Sequence, residues 1–235
     1  MISFCCPDPF SYPMKQLKIP FLSSLNTDFS LDHIDLQLNK LPPQSLDYLL
    51  WSEGSYKPEV CFRIGHNNTC IFLKFTVMED HLRMVYNQIN DPVYKDSCVE
   101  FFIGIENDSN YYNLEFNCAG TCSVGYGSNK FDRKELPSDI IANIATQTKL
   151  WRLNGDFSYC WEITLMIPVT IFIHHPDVNL NGLDCRVNFF KCGDDLPQPH
   201  FLAWNKVGSE KPNFHLSEFF GKALFLAEQE TLLPN

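Results

Sequence analysis

From Trp51 onward the chain breaks into short runs dense in Val, Ile, Phe and Tyr, each closed by Gly, Asn, Asp or Pro, and within several of them apolar and polar positions alternate. A period of two is that of half-buried strands. The runs predict strands at 59–65, 70–78, 82–86, 97–104, 111–118, 121–126, 158–167, 184–192, 199–204 and 219–227. One earlier stretch has another period: Leu31, Ile34, Leu38 and Leu41 recur every three or four residues after Ser30, a suitable N-cap. That spacing predicts a short helix, which Pro42-Pro43 ends. The segment 128–150 reads as a loop with one helical turn and a strand into Trp151.

Many short strands, a short N-terminal helix and no alternation of strands with helices predict an all-β fold, an antiparallel β-sandwich of jelly-roll or immunoglobulin-like type. Residues 1–13 (MISFCCPDPFSYP) are Pro-rich and aperiodic, and Met14 opens a more regular segment and is a candidate start. Residues 14–230 read as a single domain, with no repeat, linker or low-complexity tract.

The 235 residues are enough for one domain with a real core. A net charge of −10 without a Lys/Arg cluster argues against nucleic acid as a partner. No apolar run is long enough for a spanning helix, so no membrane partner is expected. The N-terminus has no basic region followed by an apolar stretch, which favours a cytoplasmic location; the sequons Asn67-Asn68-Thr69 and Asn107-Asp108-Ser109 keep a secreted or periplasmic one open. Ten cysteines without a CxxC pair, most of them in apolar strand text, favour free, buried thiols, while their even number also allows disulfides.

The most informative strand is Tyr111-Tyr112-Asn113-Leu114-Glu115-Phe116-Asn117-Cys118. Period two puts Tyr112, Leu114, Phe116 and Cys118 on one face and Tyr111, Asn113, Glu115 and Asn117 on the other. The polar set is either a solvated face or a ligand-contacting one, its short stiff donors and acceptors favouring the second. Just upstream, Glu100 stands among Val99, Phe101 and Phe102, where a carboxylate needs solvent, a partner such as Arg63 or Lys74, or a ligand. Neutral polyols are bound by planar polar side chains on their hydroxyls and by aromatic rings on their C–H faces. Tyr94, Glu100, Asn117, Trp204 and Phe214 make such a kit, while Trp204 and Phe214 also suit a core. No HExxH, GxSxG, Walker A or GxGxxG string is present, and the seven His show no metal-ligand spacing. Glu100 and Glu115 formally make a glycosidase pair.

The strings Val93-Tyr94-Lys95-Asp96-Ser97-Cys98-Val99-Glu100-Phe101-Phe102-Ile103, Tyr111–Asn117, His200-Phe201-Leu202-Ala203-Trp204 and Phe219-Phe220-Gly221-Lys222-Ala223-Leu224-Phe225 resemble, in order and spacing, the family 9 carbohydrate-binding modules and the stand-alone bacterial family 9-like proteins. The likeness spans about residues 50–227. It implies a β-sandwich related to the DOMON fold, with a sugar-end site between two aromatics. By this resemblance Tyr94 and Phe214 are the aromatics and Glu100 and Asn117 contact sugar; the expected carbohydrate-binding set adds Glu115 and Trp204, with Asp96, Arg63 and Asn188 in support. Glu115 stands where the family pattern has Arg, and Tyr94 and Phe214 where its sugar-binding modules have Trp. The implied function is non-catalytic binding of a mono- or oligosaccharide, weak to moderate and supporting polysaccharide breakdown. The rivals are a glycosidase using Glu100 and Glu115, a haem-binding sandwich, and an interaction module without sugar binding. No cofactor is expected; structural calcium suits loops such as Glu106-Asn107-Asp108 and Gly193-Asp194-Asp195, which carry no EF-hand pattern.

Overall fold

The computed structural model describes residues 13–25, 27–52, 54, 56–152 and 158–231. The aperiodic N-terminal segment, with Cys5 and Cys6, lies outside them except for Pro13. In chain order the strands are β1 (Gln16–Ile19), β2 (Gln44–Ser45), β3 (Tyr48–Leu50), β4 (Glu59–His66), β5 (Cys70–Glu79), β6 (Cys98–Ile105), β7 (Tyr111–Asn117), β8 (Cys122–Gly127), β9 (Lys134–Glu135), β10 (Ala145–Arg152), β11 (Tyr159–Pro168), β12 (Asp184–Cys192), β13 (Phe201–Ala203) and β14 (Gly221–Phe225). The helices are α1 (Leu31–Leu38), α2 (Ser138–Ile141) and α3 (Glu228–Thr231), none long and apolar enough to cross a membrane.

Two sheets form the sandwich. The nine-stranded one runs β1-β14-β12-β6-β7-β8-β9, with β13 joining the far half of β12 to β3; the five-stranded one runs β10-β11-β5-β4-β2. The pairings are antiparallel except β1 on β14, which is parallel. The alternation read from 111–118 holds: Tyr112, Leu114, Phe116 and Cys118 enter the core between the sheets. That core centres on Phe189, stacked on Phe62 at 3.7 Å and on Phe101 at 5.0 Å. Trp204 sets its edge against Phe62 and Phe189.

The helix forms where its spacing places it. Ser30 Oγ accepts from His33 N at 3.3 Å, and Ile34 and Leu38 bury against Cys70 and Phe72 on the outer face of the smaller sheet. Asp35, also turned inward, pairs with Lys74 at 2.5 Å and Lys149 at 2.9 Å. The segment 128–150 holds the expected helical turn, α2, and the expected strand, β10. The eight described cysteines are free thiols, seven of them buried.

One expected strand is absent: 82–86 joins no sheet. Its amides are taken by side chains, Arg83 N donating to Ser97 Oγ at 3.1 Å and Val85 N and Tyr86 N to Asp96 Oδ2 at 2.9 Å. A carboxylate and a hydroxyl thus satisfy donors that a neighbouring strand would otherwise occupy.

Across the core the sheets are pinned by charge. Lys191 on β12 and Glu79 at the end of β5 are both fully buried, their Nζ and Oε2 2.8 Å apart. Trp161 Nε1 donates to Glu79 Oε1 at 2.7 Å, and Lys191 Nζ also donates to Cys192 O at 2.9 Å. Burial first, and the Lys191 charge second, hold His200 down to about 3. It is therefore neutral, accepting from Lys191 at Nε2 (2.8 Å) and donating from Nδ1 to Gln198 O (3.0 Å). Lys191→Met leaves Glu79 buried without its cation, and an unfolding midpoint in urea is expected to show a loss of about 3–5 kcal/mol. Lys191→Met combined with Glu79→Leu is expected to lose markedly less, since no charge is then stranded.

Candidate functional site

Over its central strands β6, β7 and β12 the outer face of the larger sheet is not solvated. Register places its residues in rows: Asn117, Cys98 and Cys192; then Glu115, Glu100 and Phe190; then Asn113, Phe102 and Asn188. All of these are buried, because chain segments outside the sandwich fold over the face and form a second apolar cluster with Val93, Val207, Phe214 and Phe220. The cover is incomplete. Between it and the sheet lies a cavity of about 350 Å³, with Glu100, Glu115 and Cys192 on its floor.

One wall is aromatic. Trp51 and Phe214 rings lie 5.6 Å apart, Trp51 and Phe201 5.9 Å, Phe201 and Phe214 6.0 Å, and Phe214 is stacked on Phe190 at 4.1 Å. Trp51 follows β3 with a φ of 49°, a left-handed conformation uncommon for a bulky residue. Such a residue persists only where its surroundings hold it. Here Trp51 Nε1 donates to Ser209 O at 2.5 Å and the ring packs against both Phe201 and Phe214. Tyr94, partly exposed on a single 3-10 turn before β6, adds a second aromatic to the lining.

The cationic edge comes from residues 128–133. Asp132 Oδ1 accepts from Ser128 N and Asn129 N, each at 3.0 Å, and Asn129 Oδ1 accepts from Phe131 N at 2.8 Å, a closed turn that presents Lys130 and Arg133 to the cavity. Arg133 crosses β8 over Gly125, where a Cβ would lie 2.6 Å from its Cδ. Its Nη1 reaches Glu115 Oε1 at 2.9 Å, which also accepts from Asn113 Nδ2 at 2.7 Å.

Glu100 and Glu115 are cross-strand partners. Burial, then the Glu115 charge, raise the Glu100 carboxyl well above its ordinary range. Burial also raises Glu115, opposed by Arg133 and Asn113. The cation and the amide lie on Glu115, so the pair carries its negative charge there and its proton on Glu100. At the rim, burial and the neighbouring Asp195 push Asp194 up to about 6. His215, held down to about 3 by burial and then by Arg133 and Lys130, is neutral, with Nδ1 2.9 Å from the Tyr111 hydroxyl.

Of the residues singled out from sequence, the fold brings Tyr94, Glu100, Glu115 and Phe214 to this cavity. Asp96 and Asn117 lie behind it as a structural knot. Asp96 binds Arg83 and the 85–86 amides, while Asn117 Nδ2 donates to Asp96 Oδ2 at 3.0 Å and to Tyr86 O at 2.8 Å. Asn188 ties β12 to Asn205, donating to its carbonyl at 3.0 Å and accepting from its amide at 2.9 Å. Trp204 belongs to the inter-sheet core. Arg63 lies on the other sheet, donating to Leu41 O at 3.1 Å; neither it nor Lys74 is the partner of Glu100, whose Oε1 accepts from the Cys192 thiol at 3.0 Å. Asp108, in one of the two acidic loops, faces Tyr126 and, at 3.3 Å, His175. Asp195, in the other, lies 3.5 Å from Arg83. Trp51, Lys130, Arg133, Cys192, Phe201, Asn213 and His215 line the cavity without having been singled out. Only the run of aromatics around Phe201 and Phe214 carried any signal of them.

A family model described as carbohydrate-binding family 9 matches residues 30–225. A crystal structure of a candidate carbohydrate-binding protein from Bacteroides uniformis is 34% identical, with a TM-score of 0.82 over 91% of this chain and 100% of that one. A family 9 carbohydrate-binding module from Caldicellulosiruptor kristjanssonii in complex with glucose is 14% identical, with a TM-score of 0.57 over 90% of this chain and 95% of that one. The module from the same organism in complex with cellotriose gives 15% and 0.55 over 94% and 99%. At those identities the likeness is one of fold. No curated protein matches the chain.

Removing the guanidinium tests the charge arrangement. In Arg133→Gln the Glu115 carboxyl, freed from the guanidinium that opposes its rise, is expected to titrate higher than in the parent, read by carboxyl carbon NMR. A folded-state value further above the unfolded one destabilises as pH rises. The variant is therefore expected to match the parent in stability near pH 4 and to fall behind it progressively toward pH 8.

Proposed function

The chain belongs to carbohydrate-binding family 9, and from that premise we propose that the cavity over β6, β7 and β12 binds the end of a neutral mono- or oligosaccharide without transforming it. The observation that carries this reading is the meeting, in one cavity, of an aromatic wall (Trp51, Phe201, Phe214) and a floor of carboxyl groups. A pyranose presents C–H groups on its faces and hydroxyls around its rim, and that combination of surfaces complements it. The cavity, about 350 Å³, is at the small end of ligand clefts and suits a chain terminus better than a chain length.

The two carboxyl groups and the guanidinium each have a role in this reading. Glu115, ionised and held by Arg133, accepts from sugar hydroxyls; Glu100, protonated, both donates and accepts. Arg133 brings a guanidinium to Glu115, the position where the family pattern has Arg, from a different segment. Glucose and cellotriose in the Caldicellulosiruptor complexes make gluco-configured ligands the first to try. Glycoside hydrolysis is the weaker reading: it needs two carboxyl groups flanking the scissile bond, and these two project side by side from one floor.

The test is calorimetric and tryptophan-fluorescence titration with glucose, cello-oligosaccharides and a wider sugar panel in chelator-treated buffer. Saturable binding at micromolar to millimolar affinity is expected, with Phe214→Ala, Tyr94→Ala and Glu100→Ala each weakening it about tenfold or more. Affinity is expected to fall as pH rises through the raised value of Glu100, because the ionised form loses its donor and places a second charge beside Glu115. Glu100→Gln, which resembles the protonated acid, is expected to remove that pH dependence. Silence across the panel with the fold intact overturns the reading, and product release from any glycoside favours the hydrolase.

A further inference from the structure

The floor of the cavity contains a grouping that sugar binding does not call for. Cys98 on β6 and Cys192 on β12 are register partners, and Glu100 follows two residues along β6 on the same outer face. Their two Sγ atoms and a carboxylate oxygen lie within 4.8 Å of one another, with Cys192 Sγ 3.0 Å from Glu100 Oε1. The residues are 0, 1 and 3% exposed, yet Glu100 and Cys192 line the cavity. Arg133 and Asn113 both serve Glu115, and the Glu100 partner among the described residues is a thiol, a weak donor.

We propose that Cys98, Cys192 and Glu100 form a binding site for a soft divalent cation, zinc by its chemistry, open to the cavity at the fourth position. Two thiolates and one carboxylate are a soft ligand set with one hard member, which selects zinc over calcium or magnesium. Zinc bonds of about 2.0–2.3 Å put the ligand atoms of a tetrahedral site a little under 4 Å apart, so side-chain rotation closes the present grouping. Three protein ligands and one accessible position distinguish the site from a closed structural one. An ion would neutralise two of three ligand charges, with Arg133 and Lys130 in the same cavity for the remainder. Binding is a ligand exchange without electron transfer: the two thiol protons, and the Glu100 proton where present, pass to solvent.

The experiment titrates the full chain, reduced and stripped by chelator, with zinc or cobalt(II) alone, so it stands apart from sugar binding. One ion per chain is expected by competition with a chromogenic chelator, with proton release in weakly buffered solution and thiolate-to-cobalt charge-transfer absorption. Since loss of an outer-shell partner alone costs about 10–100-fold in metal affinity, Cys98→Ser, Cys192→Ser and Glu100→Gln are each expected to weaken binding by about 100-fold or more. Cys61→Ser and Cys185→Ser, away from the site, are expected to leave it unchanged. Near-ultraviolet circular dichroism checks folding, and Glu100→Gln serves if either serine variant unfolds. The proposal is overturned by absence of stoichiometric uptake, by uptake indifferent to all three substitutions, or by a Cys98–Cys192 disulfide as the stable state under reductant. Register partners on antiparallel strands lie close enough for that disulfide.

Discussion

The rest of the architecture depends on the buried pair of Lys191 and Glu79. A charge pair inside an apolar sandwich gains little over hydrocarbon in net stability, because the attraction is spent against desolvation. What it does impose is register. If β12 slipped by one residue, Lys191 would leave Glu79, and Val187 and Phe189 would turn outward while Asn188 and Cys192 turned into the core. Because Lys191 and Cys192 are consecutive, fixing the first inward fixes the second outward, and Lys191 Nζ is itself bonded to the Cys192 carbonyl. The pin between the sheets therefore sets the side-chain rows on which the cavity floor is built.

The floor reverses the usual economy of a sheet surface. Two carboxyl groups face each other across β6 and β7 beneath a cover that removes them from water. Only one of them has a cation, and that cation arrives from a separate turn closed by Asp132 and admitted by the missing side chain at Gly125. Such an arrangement costs stability that a solvated face would keep, and perturbed carboxyl groups gathered in a cleft are a mark of a functional site. The cover is held down by similar means. Buried Asp96 takes the 85–86 amides and Arg83 on one side and Asn117 on the other, joining the covering loop to the strand below.

How much of this was legible in the sequence follows from which interactions are local. Alternation located the main strands, and three-to-four spacing with Ser30 located α1. The same alternation failed at 82–86, whose amides at 83, 85 and 86 are taken by the Ser97 hydroxyl and the Asp96 carboxylate. Tyr94, Glu100, Glu115 and Phe214 were found because polar or aromatic side chains interrupt an otherwise apolar text. Asp96, Asn117 and Asn188 were equally conspicuous, yet their polarity is consumed by backbone groups. Arg63 was conspicuous too, on the sheet that faces away. Trp51, Arg133 and His215 come from aperiodic segments, so nothing along the chain announces that register and loop closure bring them together. Cys98 and Cys192 meet for the same reason, by strand pairing across a long separation, where a spacing motif could not point to them.

Glu100 is the point at which the two proposed uses of the floor meet. As an acid it keeps its proton and can donate to a hydroxyl; as a metal ligand it must give that proton up. Proton and cation therefore compete for one carboxyl, and rising pH, which removes the donor, favours the ion. Linkage makes the exchange reciprocal: a sugar that needs the protonated acid weakens metal binding by the factor with which the metal weakens it. A sugar hydroxyl that instead takes the open fourth position strengthens both. The sign of that coupling is set by whether the hydroxyl meets the proton on Glu100 or the ion behind it, since both lie on the same side of the sheet.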